Sequence, residues 1–365
     1  MGNACFNAQH KERREEAHLI AKLRDARDAI AAAPRTQNPR YPKVADRGVS
    51  LRFARDFHAA LEDEVGSEEV ARRMTSEHIV GDRDPVTDEA IGEWPRTNYM
   101  ADVRPWSILA LEKATLVSLV ETLYIAAEVT GDPSFLRDAD GRPYFGKPSV
   151  FVSYTWRNEF GDVVAALQGI VGSDAFVWWD IFAIAQCNHT SEAKANLRED
   201  LNAVDAGGVV AACARLCLVV VPWEDPKAFG RVWCLNEVHM AIKAEKEVRL
   251  VMPPRETDRF LQLLLTDFGS IEIAVSKIDM RNAQATKEED RERILRQIEA
   301  SIGFVEVNKR IIRELREWLA REAKTALDLL TRTQRATSAL INNYAGLLQN
   351  QGKLDDAEPL FRDPL

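Results

Sequence analysis

From Ser149 onward, short apolar runs alternate with helix-patterned segments. The runs are "SVFVSY" (149–154), "AFVWWDIFAI" (175–184), "RLCLVVVPW" (215–223), "EVRLVMPP" (247–254) and "SIEIAV" (270–275). Between them lie "DVVAALQGIV", "EAKANLREDLNAVDA", "GRVWCLNEVHMAI" and "DRFLQLLL", each with apolar residues at helical spacing. A strand exposed on one face alternates apolar and polar residues, whereas one covered on both faces reads as a continuous apolar run. Strands separated by helices are joined by crossovers, which make parallel neighbours. The pattern predicts an α/β domain in which helices cover both faces of a parallel sheet.

The expected fold is therefore a flavodoxin-like, doubly wound, parallel five-stranded sheet over roughly residues 146–280, flanked by α-helical N-terminal and C-terminal regions. In such sheets ligands bind beyond the carboxyl ends of the strands. Those ends are "SYTWR" after the first strand, the Asp180 region in the second and "VPWEDP" after the third. Upstream, residues 1–48 read as an amphipathic helix ended by Pro34 and a linker. Residues 49–145 read as a helical region, with "RFARDFHAALEDEV", "SEEVARRM" and "ILALEKATLVSLVETLYIAAEV" as its helices. Downstream, residues 285–325 are charged at helical spacing and read as a solvated helical connector. Ile294, Ile298 and Ile302 give it one apolar face.

Composition narrows the function classes. The 365 residues carry a formal net charge of -9, and no basic stripe exceeds "HKERR", so no nucleic-acid partner is expected. Five cysteines, an odd number, with no signal-peptide pattern before them, point to a reducing, cytoplasmic setting. Cys187 and His189 are too few for a zinc site, so no metal is expected. Neither GxGxxG nor GxxxxGK[ST] occurs, which leaves a dinucleotide fold of the Rossmann type and a P-loop unsupported. The start, "MGNACF", offers Gly2 for myristoylation and Cys5 for palmitoylation, a two-chain anchor to a membrane surface. Phe6 stands where the acylation signature has Ser or Thr, and the alternative is an ordinary start before a charged helix.

The helix "GRVWCLNEVHMAI" poses the sharpest question, because Glu237 lies one turn after Trp233 on a helix expected to be largely buried. Residues four apart share a helix face, so tryptophan and carboxylate lie together. With the strands before it, "VWCLNEV" resembles the plant-type motif Trp-Cys-Leu-x-Glu-Leu of the Toll/interleukin-1 receptor homology (TIR) domain. Trp233, Cys234, Leu235 and Glu237 match that motif, and Val238 replaces its final Leu. The resemblance spans about 130 residues and implies a TIR-like domain. Many such domains cleave NAD at the nicotinamide–ribose bond, and the helix glutamate, Glu237 here, is then the catalytic residue. NAD would be a substrate, and no cofactor is implied. The resemblance also implies self-association, with active sites built across neighbouring domains. Ser153, Tyr154, Trp156 and Arg157 on the loop after the first strand, Trp233 on the helix and Asp180 in the second strand are the candidate contacts to NAD. Each has a plainer reading: Glu237 as a helix-surface carboxylate, Trp233 as a core aromatic, Asp180 as a structural hydrogen-bonding group, Arg157 as a surface charge. The sequence departs from the plant motif at Arg231, where that motif has Ser, and in the loop "WWDIFAIAQCNHT".

Residues 326–365 contain "NNYAGLLQNQGKLDDAEPLF". Ala345, Leu348, Ala357 and Phe361 fall at positions that resemble one tetratricopeptide repeat of the kinesin light chain type, with "NQGK" as the turn. This implies a protein or peptide partner. Two functions follow as expectations. One is a signalling protein that hydrolyses NAD on self-association. The other is a non-catalytic TIR/tetratricopeptide adaptor. A cargo adaptor of kinesin light chain type would rest on the repeat alone.

Overall fold

The computed structural model of the chain describes residues 19, 22–23, 25–26, 28–30, 42–80, 83, 117–186, 190–205, 207–266, 271, 279–329 and 339–362. The chain is mixed α/β, and its described residues form one sheet of six strands. It divides into two compact units, Met1–Val152 with Trp156–Arg215, and Ser153–Thr155 with Leu216–Leu365.

In the first unit β1 (Gly48–Ser50) leads directly into α1 (Leu51–Val65). The Ser50 hydroxyl caps that helix by accepting from the Phe53 N–H, and Gly66 ends it in the left-handed region at φ 70°. Two short helices follow, α2 (Glu68–Arg73) and α3 (Ser76–Val80). Helix α4 (Leu119–Thr130) opens on a capping box, in which the Ser118 hydroxyl accepts from the Glu121 N–H and the Glu121 carboxylate accepts from the Ser118 N–H. Then come β2 (Phe145–Gly146), β3 (Val150–Ser153), α5 (Phe160–Gln168), β4 (Phe176–Trp178), α6 (Asp180–Ala183), α7 (Ser191–Asp205) and α8 (Gly208–Ala212).

The strand order in this unit is β2-β1-β4-β3. β1 runs antiparallel to both its neighbours, with Val49 opposite Phe145 on one side and Val177 on the other. β3 and β4 are parallel, with Val150 opposite Val177. The core is aromatic. Phe182 meets Phe57 and Phe53 edge-on at centroid distances of 5.4 and 5.5 Å, and Phe160 stacks on Trp179 at 4.8 Å. The Phe151 and Trp178 rings stack at the β3–β4 step, also at 4.8 Å.

In the second unit β5 (Arg215–Val219) neighbours β6 (Glu247–Val251). Helix α9 (Val232–Lys243) lies between them in sequence and packs on β6. Helices α10 (Pro254–Thr266), α11 (Glu288–Ser301), α12 (Gly303–Leu329), α13 (Ala339–Asn350) and α14 (Leu354–Arg362) complete the unit. Phe260 of α10 is fully buried between Trp223 and Trp318, with centroids at 5.3 and 4.8 Å.

Three expectations need correction. Among the described residues the sheet has six strands, not five, and β1 and β2 join it from upstream of the predicted domain. Of the expected fifth strand, 270–275, only Ile271 is described, and it is helical and buried. The second apolar run is strand only over Phe176–Trp178, and Asp180 begins a short helix instead of sitting mid-strand. Helix α11, expected as a solvated connector, packs against α9 and fully buries Ile294 and Ile298. Gly2 and Cys5 lie outside the described residues, as do Cys187 and His189. Among the described residues no helix is long and apolar enough to cross a membrane.

Candidate functional site

The second unit gathers Glu237 with the residues that hold it. Helix α9 starts after a 3-10 turn at Lys227–Gly230. Its N-cap residue is Arg231, in the extended conformation an N-cap needs, but the side chain makes no capping hydrogen bond. The backbone compensates: Val232 N–H donates to the Gln284 carbonyl at 3.0 Å, and Gln284 N–H to the Gly230 carbonyl at 2.8 Å. The motif position occupied by Ser in plant-type domains is therefore this helix's N-cap.

Cys234 sits in the first turn, buried, with its thiol 3.2 Å from the Tyr154 carbonyl. A small side chain with a weak donor lets the helix approach the chain just beyond β3. Leu235, Val238 and Ala241 are buried on the same helix, while Trp233 and Glu237 are half-buried. Glu237 accepts a 2.5 Å hydrogen bond at Oε2 from the hydroxyl of Ser153, the last residue of β3. Ser153 itself is 1% exposed. A buried hydroxyl that donates to a carboxylate makes a strong, charge-assisted bond and fixes the carboxylate's position.

Trp233 is not an open shelf. The Arg293 guanidinium of α11 lies over its ring, 5.5 Å from the centroid. That cation–π contact takes one face, so a planar ligand could stack only on the other. Arg293 also pairs with Asp290 at 3.4 Å. Arg293 lies in a charged helix far along the sequence, and nothing in its local pattern marks it as a neighbour of Trp233.

Trp156, Arg157 and Asp180 belong to the first unit. Trp156 is half-buried and donates from Nε1 to Asp180 Oδ2 at 2.7 Å. The other Asp180 oxygen accepts from the Ile181 N–H at 2.7 Å. Asp180 thus ties the loop after β3 to the start of α6. Arg157 is exposed, and its Nε donates to Glu77 of α3 at 3.3 Å. Tyr154, in the second unit, is buried, and its carbonyl accepts from the Cys234 thiol. Ser153, Tyr154, Trp233 and Glu237 are brought together, and Trp156 and Asp180 are paired. Arg157 is held by a surface ion pair.

Comparison with known proteins found no match: no family model, no curated protein and no solved structure resembles the chain closely enough to report.

Proposed function

We propose that the chain hydrolyses NAD at the nicotinamide–ribose bond, with Glu237 as the catalytic residue and self-association as the trigger. The observation that carries this reading is the Ser153–Glu237 hydrogen bond, which fixes a half-buried carboxylate at the carboxyl end of a strand. Such ends are where α/β sheets of the flavodoxin-like type bind ligands, and a TIR-like arrangement of strands fits that expectation.

The chemistry matches the residue. Breaking the C1′–N bond sends its electron pair to the pyridinium nitrogen, so nicotinamide leaves neutral and needs no general acid. The ribose develops oxocarbenium character, and a fixed carboxylate beside it stabilises that positive charge. Water then adds to C1′ and loses a proton, giving ADP-ribose. Attack by another nucleophile would give a cyclic or base-exchange product. Ser153 is a positioning residue in this scheme, since its hydroxyl holds Glu237 in place.

The test is nicotinamide release from NAD by the purified full chain, clustered on a multivalent support. Glu237→Gln is expected to lower release by about a hundredfold or more, the usual scale for loss of a main electrostatic stabiliser. Ser153→Ala is expected to lower kcat more than it raises KM, because it frees the carboxylate without removing it. Release that is absent in the parent, or equal in parent and Glu237→Gln, overturns the enzyme reading.

A second reading, the non-catalytic adaptor, draws on α13 and α14. They form a helix–turn–helix with Gly352 in the turn at φ 76°, and Ala345, Leu348 and Ala357 pack inside it. Leu354 and Phe361 stay 59% and 51% exposed, which favours a protein partner on that hairpin.

A further inference from the structure

The first unit contains a cavity that NAD cleavage leaves unused. It encloses about 410 Å³, within the range of small-molecule sites. Its floor is an ion cluster of Arg47, Glu121 and Asp200, whose side chains are 7%, 8% and 6% exposed. Arg47 Nη2 lies 2.8 Å from Glu121 Oε1, and Nη1 lies 2.9 Å from Asp200 Oδ1.

The cluster does not balance. Two carboxylates face one guanidinium, and Arg47 is already committed elsewhere. Its Nε donates to the Pro42 carbonyl at 3.1 Å and its Nη1 to the Ala183 carbonyl at 2.9 Å. The other carboxylate oxygens accept from neutral donors. The Ser118 hydroxyl bonds Glu121 at 2.9 Å and the Ala185 N–H bonds Asp200 at 3.0 Å. Those bonds satisfy lone pairs without cancelling charge. Burial accordingly holds both carboxyls above the ordinary carboxylate range, against the pull of Arg47.

At the mouth, exposed Lys43 and exposed Glu199 offset each other. The walls are partly apolar, from Val117, Ala203 and Val209. One excess negative charge at the floor and an apolar wall above it define a complementary ligand.

We propose that this cavity binds a small organic monocation, a primary amine on a short aliphatic stem, with its ammonium group at Glu121 and Asp200. The stem lies against Val117, Ala203 and Val209. The carboxylates do not form a metal-ligand set: among the described residues no group of three or more His, Cys, Asp or Glu side chains could hold a metal ion.

The experiment is calorimetric titration of the full chain with n-pentylamine, pentan-1-ol and sodium pentanoate, at constant ionic strength, with magnesium chloride as a separate arm. The amine is expected to bind saturably, with the alcohol and the carboxylate weaker by about tenfold or more. The amine should also raise the melting temperature in a concentration-dependent way, as any ligand of the native state does. Ala203→Phe fills the wall and leaves the ion cluster untouched, so amine affinity should fall by about tenfold or more. Asp200→Asn removes the excess charge, so the preference for amine over alcohol should disappear. Equal binding of amine and alcohol by the parent overturns the proposal. So do unchanged amine affinity in both variants and saturable magnesium binding in place of amine binding.

Discussion

Arg47 is where a single side chain carries the most. It is buried, bonds two backbone carbonyls and pairs with Glu121 and Asp200. Removing it leaves the Glu121 and Asp200 carboxyls buried without the guanidinium that pairs with both. Loss of one partner from a buried ion pair costs about 3–5 kcal/mol, and Arg47→Ala should fall in that range when unfolded by urea. Asp200→Asn is expected to cost clearly less, since it leaves Arg47 and Glu121 as a balanced pair and keeps a side chain that can accept from the Ala185 N–H. A larger loss for Asp200→Asn than for Arg47→Ala would contradict the charge count. Nothing in the sequence marked Arg47: it stands in a linker-like stretch, and both partners come from distant helices. Glu237 was legible because its neighbour Trp233 lies one turn away on the same helix. A contact within one helix follows from 3.6-residue periodicity, whereas a contact made by folding does not.

Helices and strands were readable in proportion to the surface they bury. β3, β4 and β5 are short, mostly apolar runs, β6 alternates charged and apolar residues, and the helices between them keep their spacing. β1 and β2 span only Gly48–Ser50 and Phe145–Gly146, too short for any period to register. Gly48 explains part of their pairing: a Cβ there would lie 2.4 Å from the Gly146 carbonyl oxygen, so only glycine permits this approach. The start of α9 offers a prediction at this scale. Its N-cap, Arg231, makes no side-chain cap, although its backbone has cap geometry. Arg231→Ser supplies a hydroxyl that can accept from an orphan N–H in the first turn and should stabilise the fold by about 1 kcal/mol. An increased urea midpoint with unchanged slope is the expected result. A fall in stability would mean that the Arg231 side chain contributes contacts worth more than a cap.

Across the whole molecule, buried titratable groups of two kinds set opposing pH responses. His58 and His239 are both held below the ordinary histidine range by burial, with Lys243 adding to the effect at His239. Each is neutral in the fold and must be protonated more readily when unfolded. Their contribution is complete above about pH 6.5 and is lost as pH falls from there toward their lowered values. Asp56, Glu121, Asp200 and Glu322 run the other way, because burial raises all four. A raised carboxyl favours the fold below its unfolded value, and that advantage fades as pH rises through its folded value. Between about pH 5.5 and 7 the histidines are the groups whose unfolded forms change charge, so stability should climb with pH over that interval. The expected slope is positive for the parent chain in urea unfolding at fixed ionic strength. In the His58→Leu, His239→Leu double variant the climb should vanish, or reverse where the raised carboxyls still titrate. An undiminished climb in that variant would assign the pH response to groups other than these two.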